Sequence, residues 1–137
     1  GCWVSCPSML ARRAGCAAAT LPDGRLIVVG GYDERGIVEG LMDTCETFDP
    51  SKQAWATDSS KLLRARWGHG CASLRGLVYT VGGCSLRPGS PPVEAFMETL
   101  RTCEVYDASM GCWAPCGDLH IARAGARVVT LTDRYMA

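Results

Sequence analysis

Short runs of apolar residues alternate along the chain with segments rich in Gly, Pro and Asp. Two of these runs, RLIVVGG at 25–31 and LVYTVGG at 77–83, each end in a pair of glycines. Apolar runs of this length between turn-forming residues are typical of β-strands. The PDG sequence at 22–24 predicts a tight turn before the first run. The pattern therefore predicts an all-β chain.

The predicted strands belong to a sequence repeat. The segment TCETFDP at 44–50 matches TCEVYDA at 102–108, and a tryptophan follows seven residues after the aromatic residue of each. A second segment occurs three times, and Arg13, Arg66 and Arg123 occupy the same position in its three copies. The period is therefore 53 residues from the first copy to the second and 57 from the second to the third. Four β-rich runs in a unit of this length predict one four-stranded blade of a β-propeller.

The repeat predicts how the chain is divided. It comprises the end of one unit, two complete units and the start of a further unit, at residues 1–12, 13–65, 66–122 and 123–137. We expect residues 14–57 and 67–116 each to form a four-stranded antiparallel sheet, with Trp55 and Trp113 on the outermost strands. About two and a half blades cannot close a ring, so the fold class is a partial β-propeller and the chain is expected to be a fragment.

Two segments have helical propensity that conflicts with this prediction. The Ala-rich residues 14–21 favour a helix on propensity alone, but their aligned copies, GHGCASL and ARVVTL, do not. Residues 93–101, in the long loop of the second complete unit, are also helix-prone. We expect neither segment to form a helix longer than two turns.

Composition narrows the classes of partner. The 137 residues carry 14 basic and 14 acidic side chains, and this zero net charge argues against a nucleic-acid surface. The longest apolar run, LIVV at 26–29, is too short to span a membrane. Nine cysteines without a C-x-x-C motif fit a reduced intracellular chain better than a disulfide scaffold. A cytoplasmic or nuclear location is therefore expected.

Two cysteine pairs, CWVSC at 2–6 and CWAPC at 112–116, suggest metal or disulfide chemistry at first sight. If both lie on strands, the Cα atoms of each pair are about 13 Å apart, whereas a disulfide tolerates about 7 Å. The aligned middle copy, AWATD at 54–58, has no cysteine. We therefore predict unpaired thiols with no metal between them.

Catalytic and cofactor motifs are also missing from the sequence. The two histidines, His69 and His120, occupy unrelated positions of the repeat, which is weak support for a metal site. Glu46 and Glu104 recur in register and are therefore not an acid–base pair. The tryptophans Trp3, Trp55 and Trp113 are expected to pack between blades. No cofactor, metal site or catalytic residue is predicted.

The segment GGYDERG…DTCETFDPSKQAW, from residue 30 to residue 55, resembles the Kelch repeat, especially repeats of substrate-adaptor Kelch proteins. The resemblance extends over the whole chain. The residues that carry it are Gly30, Gly31, Phe48, Trp55, Gly82, Gly83, Tyr106 and Trp113. The loop between the glycine pair and the aromatic strand is six residues longer in the second complete unit than in the first.

The resemblance implies a module whose loops bind another protein. Within this family, substrate recognition for a cullin-type ubiquitin ligase is the first expectation, and cytoskeletal scaffolding on actin is an alternative. Some Kelch-like propellers are copper oxidases or sugar epimerases, but copper chemistry requires clustered His and Tyr side chains. We therefore expect a binding module rather than an enzyme.

Arg13, Arg66 and Arg123, each just before an innermost strand, allow two interpretations. They make the same structural hydrogen bond in every blade, or they form a ring of guanidinium groups that binds an acidic or phosphorylated peptide. In substrate adaptors that resemble this sequence, this position and the residue after the glycine pair line the peptide-binding face. The latter residues are Tyr32 and Cys84 here.

Trp67 is a further candidate contact, because its aligned positions carry only Ala14 and Ala124. The predicted partner-binding set is therefore Arg13, Tyr32, Arg66, Trp67, Cys84 and Arg123.

Overall fold

The computed structural model describes the backbone of residues 1–132 and 135–136 and is nearly all β-structure. Its strands are β1 Ala17–Thr20, β2 Leu26–Val29, β3 Thr44–Asp49, β4 Ala54–Lys61, β5 Gly70–Leu74, β6 Leu77–Val81, β7 Cys84–Leu86, β8 Met97–Thr99, β9 Cys103–Asp107, β10 Cys112–Cys116, β11 Thr130–Thr132 and β12 Tyr135–Met136. One short helix, α1 Gly36–Glu39, and one 3₁₀ turn, Glu94–Phe96, interrupt them.

Eight of these strands form two four-stranded antiparallel sheets. Sheet 1 has the order β1-β2-β3-β4, and sheet 2 has the order β5-β6-β9-β10. Trp55 on β4 and Trp113 on β10 therefore lie on edge strands, as predicted. Within each sheet the strands of one repeat unit lie side by side in the order in which they occur along the chain. This is the arrangement of a propeller blade.

A glycine pair follows the second strand of each sheet, as predicted, and its conformation explains why. Gly30 and Gly31 have φ values of +61° and +90°, a region that other residues rarely adopt. A Cβ atom on Gly31 would lie 2.6 Å from the carbonyl oxygen of Ala14. Only glycine therefore permits the close approach of this turn to the segment that leads into β1.

The core lies between the two sheets. Ile27, Val29 and Cys45 of sheet 1 are completely buried against Val78, Tyr106 and Trp113 of sheet 2. The rings of Tyr106 and Trp113 are tilted, with centroids 5.2 Å apart, and the Phe48 and Trp55 rings pair in the same way at 5.1 Å. The aromatic residues of the repeat are therefore packing devices.

The long loop of the second unit forms a two-stranded hairpin rather than a helix. Strands β7 and β8 pair antiparallel, and the helix-prone stretch after residue 93 is only the 3₁₀ turn followed by β8. The prediction that no long helix forms in 93–101 is therefore confirmed. The short helix α1 in the corresponding loop of the first unit was not predicted.

The N-terminal residues correct one prediction. Residues 1–9 form no strand, and Trp3 is fully exposed instead of packing between blades. A strand needs a partner strand, and the described chain places none beside this segment. Cys2 and Cys6 are exposed free thiols outside any strand, so the predicted strand spacing does not apply to them. It holds for Cys112–Cys116, because these residues are the two ends of β10.

No helix among the described residues is both long and apolar enough to cross a membrane.

Candidate functional site

The residues between β4 and β5, 62–69, form a connecting segment that joins the two blades. The backbone N–H of Arg66 donates to the carbonyl oxygen of Met42 at 3.2 Å, and its carbonyl oxygen accepts from the N–H of Gly31 at 2.8 Å. Both partners belong to the first repeat unit. The backbone of Arg66 is thereby attached to sheet 1, the blade that precedes it in the chain.

The side chain of Arg66 is attached to sheet 2 instead. Its Nη1 donates to the carbonyl oxygens of Gly82 and Thr102, at 2.8 and 2.9 Å, and its Nη2 donates to Oε1 of Glu104 at 2.5 Å. The side chains of Arg66 and Glu104 are 0% and 3% exposed. This residue therefore connects two blades, with its backbone in one and its charge in the other.

Arg13 makes the same contacts one repeat earlier. Its Nε donates to Oε1 of Glu46 at 2.9 Å, and its Nη1 donates to the carbonyl oxygens of Gly30 and Thr44. Its side chain is 2% exposed. The Arg–Glu pair is therefore a repeated structural feature.

Each carboxylate also holds the backbone of the segment that leads to its arginine. Glu46 accepts the N–H groups of Leu10 and Ala11, and Glu104 accepts those of Leu63 and Arg64. These extra donors satisfy the remaining oxygen lone pairs, as a buried charge pair requires.

These contacts correct the expected ring of binding arginines. The guanidinium groups of Arg13 and Arg66 are buried and bonded within the protein, so a peptide cannot reach them in this structure. The structural interpretation holds for both. Arg123 repeats the backbone contact, because its carbonyl oxygen accepts the N–H of Gly83 at 2.8 Å, but the glutamate position one repeat after Glu104 lies outside the 137 residues. No described carboxylate occupies the place that Glu104 has for Arg66.

The sequence contained the signal for this pairing. One Arg and one Glu recur in register in both complete units, and their opposite charges were the clue. The spacing alone does not show that the two residues neutralise each other, because their contact forms only in the folded sheets.

The remaining predicted residues lie at one end of the sheets. We call this end, which carries residues 30–43, 62–69 and 82–102, the loop face. Tyr32 forms an antiparallel bridge with Ala14, and Trp67 forms one with Cys84. Tyr32, Trp67 and Cys84 are all half-buried.

Tyr32 and Trp67 come from different repeat units and meet on the loop face. Their rings are edge to face, with centroids 5.8 Å apart and an interplanar angle of 85°. A Cβ atom on Gly15 would lie 3.2 Å from the Tyr32 ring, so the glycine leaves room for the pair. The Nε1 atom of Trp67 is buried without a hydrogen-bond partner among the described residues.

The β7–β8 hairpin extends the loop face beside this pair, and Arg64 anchors it. Arg64 donates to the hydroxyl of Ser85 at 3.1 Å, to the carbonyl oxygen of Leu86 at 2.6 Å and to Glu98 at 2.5 Å. The hydrogen bond from Arg64 lowers the pKa of Glu98, so this carboxylate stays ionised. Ala11 occupies the Arg64 position in the first unit, which has no such hairpin.

His69 lies behind the loop face and is only 6% exposed. Neither ring nitrogen has a hydrogen-bond partner among the described residues. Burial, and secondarily the charge of Arg66, lower the pKa of His69 to about 3. The ring is therefore neutral at physiological pH. In the described part of the chain, the side chains of His, Cys, Asp and Glu form no group of three suited to a metal ion.

The nine cysteines are expected to differ in reactivity. Burial raises the pKa of Cys45 and of Cys71 to about 12, whereas Cys2, Cys6 and Cys112 are exposed. Only thiolates are alkylated efficiently. At pH 8, iodoacetamide should modify the exposed cysteines quickly and the two buried ones only after unfolding in urea. Peptide mass spectrometry measures this, and labelling of Cys45 as fast as that of Cys112 would contradict the packing.

The blade topology, the glycine pairs and the repeated Arg–Glu contact define a partial β-propeller built of Kelch repeats. The family model described as the Kelch motif matches residues 12–60. The chain belongs to the Kelch-repeat family.

Curated relatives point to the same family. Kelch-like protein 25 of Xenopus tropicalis is 31% identical over 117 residues, which are 82% of this chain and 18% of that protein. Human Kelch-like protein 25 is 30% identical over 110 residues, which are 77% of this chain and 17% of that protein. Human Kelch-like protein 23 is 30% identical over 108 residues, with 79% and 17% covered. The chain thus spans about a sixth of the length of these relatives.

The fold also matches solved structures. One described as "Structure of YjhT" superimposes with a TM-score of 0.67 at 21% identity, over 86% of this chain and 41% of that chain. At this identity the likeness concerns the fold alone.

Proposed function

We propose that this chain is part of a protein-interaction module that binds its partner on the loop face. The observation that carries the proposal is the Tyr32–Trp67 pair, two half-buried aromatic rings from different repeat units beside the loops. Aromatic side chains held by packing provide large contact area at low entropic cost and are common hot spots of protein interfaces.

The likeness to Kelch-like proteins 25 and 23 supports a more specific role, substrate recognition for a cullin-type ubiquitin ligase in the cytoplasm or nucleus. This role is an analogy at the level of the family, because the chain covers about a sixth of those proteins. Ubiquitylation of a captured partner by the full-length protein tests it. Binding to actin filaments, measured by co-sedimentation, would favour cytoskeletal scaffolding instead. No catalytic role is proposed.

An acidic or phosphorylated peptide remains the proposed ligand, with Arg12 as its support. Exposed Arg12 lines a cavity of about 350 Å³ together with Tyr32, Asp33 and Glu34. The sequence alone did not indicate Arg12. Guanidinium groups beside an aromatic ring favour a carboxylate or phosphate next to an apolar anchor.

Replacing Trp67 by alanine should weaken partner binding at least about tenfold, since the aromatic anchor is lost and the Tyr32 ring loses its edge-to-face neighbour. The probe is a peptide selected from a phage-displayed library on the full-length protein, and fluorescence anisotropy measures its Kd. Lys52→Ala is the control, because that exposed side chain lies in the β3–β4 turn at the opposite end of the sheets.

Further variants test whether the loop face is the binding surface and whether the ligand is acidic. If Trp67→Ala and Tyr32→Ala bind as tightly as the wild type, the loop face is not the binding surface. If Arg12→Glu leaves the affinity unchanged, the ligand is not acidic, even though the surface is correct.

A further inference from the structure

Two cysteines lie directly opposite each other in sheet 2. Cys103 on β9 pairs with Cys116 on β10 in the antiparallel register. Directly opposite residues of such strands have Cα atoms about 4.5–5.5 Å apart, and disulfides span Cα distances of about 4.4–6.8 Å. Unlike Cys112 and Cys116 on one strand, this pair satisfies the backbone requirement for a bridge.

The two side chains also share one surface. Both line an apolar groove of about 340 Å³ on sheet 2, together with Tyr79, Val81 and Leu119. The two thiols are therefore on the same side of the sheet as well as in register. Among the paired strands of the described residues, no other two cysteines face each other.

The repeat shows that the pair is particular to the second unit. Cys45 occupies the position of Cys103 in sheet 1, but the residue opposite it is Asp58. Asp58 stays half-exposed although sheet 2 packs beside it, with the hydroxyl of Tyr106 3.3 Å away. Cys116 has the same place in its blade, and the aligned position therefore keeps partial exposure when another blade packs beside it.

We propose that Cys103 and Cys116 form a redox-active dithiol that closes to a cross-strand disulfide, with oxidised glutathione as the oxidant. The thiolate of Cys116, the more exposed of the two, attacks a sulfur of oxidised glutathione and releases one glutathione thiolate. The thiolate of Cys103 then attacks Sγ of Cys116 and releases the second. The protein loses two protons and two electrons, and one oxidised glutathione becomes two reduced glutathiones.

The surroundings of the two thiols determine how fast the disulfide forms. Burial raises the pKa of Cys103, and burial together with the neighbouring Cys103 raises that of Cys116. Few thiolates are present at neutral pH, so the exchange takes place slowly. In a compartment that keeps thiols reduced, the dithiol is the resting form and the disulfide forms during oxidation.

The bridge would stabilise the edge of the blade. Among the described strands, β10 pairs with β9 alone, and it carries Trp113, which is 5% exposed in the core. A bond between Cys103 and Cys116 closes the chain across the turn at 108–111 and limits the unfolded state. The oxidised protein should therefore melt about 5 °C above the reduced one.

The experiment is cysteine mapping on the full-length protein. The protein is incubated with oxidised glutathione for hours, blocked with iodoacetamide and digested without reduction. Trypsin leaves Cys103, Cys112 and Cys116 in one peptide, residues 102–123, since no Lys or Arg lies between them. Chymotryptic cleavage after Tyr106 and Trp113 separates the three and identifies the bridge by mass spectrometry.

The proposal predicts a Cys103–Cys116 cross-link that reduced glutathione reverses, that persists in Cys112→Ser and that is lost in Cys116→Ser. Because Cys103 is buried, Cys116→Ser at the partly exposed position is the main variant. A stable glutathione adduct on Cys116, a Cys112–Cys116 bridge, an intermolecular dimer or complete resistance to oxidation would each overturn it.

Discussion

Replacing Arg66 by alanine is expected to lower the free energy of unfolding by about 3–5 kcal/mol, because the change leaves the buried carboxylate of Glu104 without its counter-charge. The carbonyl oxygens of Gly82 and Thr102 also lose the hydrogen bonds that the guanidinium donates to them. Urea unfolding of the full-length protein, followed by tryptophan fluorescence, measures the effect. Trp113 lies in the adjoining core and reports on this part of the fold.

Further variants test whether the unpaired charge of Glu104 causes the loss of stability. Lys52→Ala removes an exposed cation in the β3–β4 turn, away from this contact, and should change stability by less than about 0.5 kcal/mol. The double variant Arg66→Met with Glu104→Leu should be more stable than Arg66→Ala, because no unpaired charge remains. A stable Arg66→Ala protein with weakened partner binding would show that the guanidinium is available to ligands, as a binding ring requires.

Acidification should destabilise the propeller through His69. The pKa of His69 is about 3 in the folded protein and near its ordinary value of 6.5 once unfolded. Between these values the unfolded state binds more protons than the folded state, so stability falls as pH falls. The slope contributed by His69 should be roughly 1 kcal/mol per pH unit between about pH 6 and pH 4.

Comparing the stability of variants over that pH range isolates the contribution of His69 to the slope. His69→Ala should lose this part of the pH dependence, and the fold tolerates alanine at the aligned position 126. His120→Gln removes the other, exposed histidine and should retain the wild-type slope. Equal slopes in all three proteins would mean that folding does not lower the pKa of His69.

The folded sheets were predictable because their signals are local and occur in both repeat units. The glycine pairs are required by the backbone conformation of the turn itself, with φ of +63° and +95° at Gly82 and Gly83. The apolar runs before them and the tryptophans after them have fixed spacing. The aligned copies also indicated a strand in residues 14–21 in spite of their helical propensity, and the structure has β1 there.

The segments without a second copy were less predictable. The β7–β8 hairpin depends on Arg64 and Glu98, which are 34 residues apart and have no counterparts in the first unit.

The sequence by itself determined the all-β class, the repeat units and the place of each strand in its sheet, because periodicity and turn chemistry act over a few residues. Only the tertiary structure decided what the arginines and cysteines do. Arg12 and Arg13 are neighbours in the sequence, yet Arg12 is exposed and Arg13 is buried against Glu46. Desolvation depends on what packs around a charge, and the opposition of Cys103 and Cys116 depends on strand register. Neither property belongs to a residue type or to its spacing.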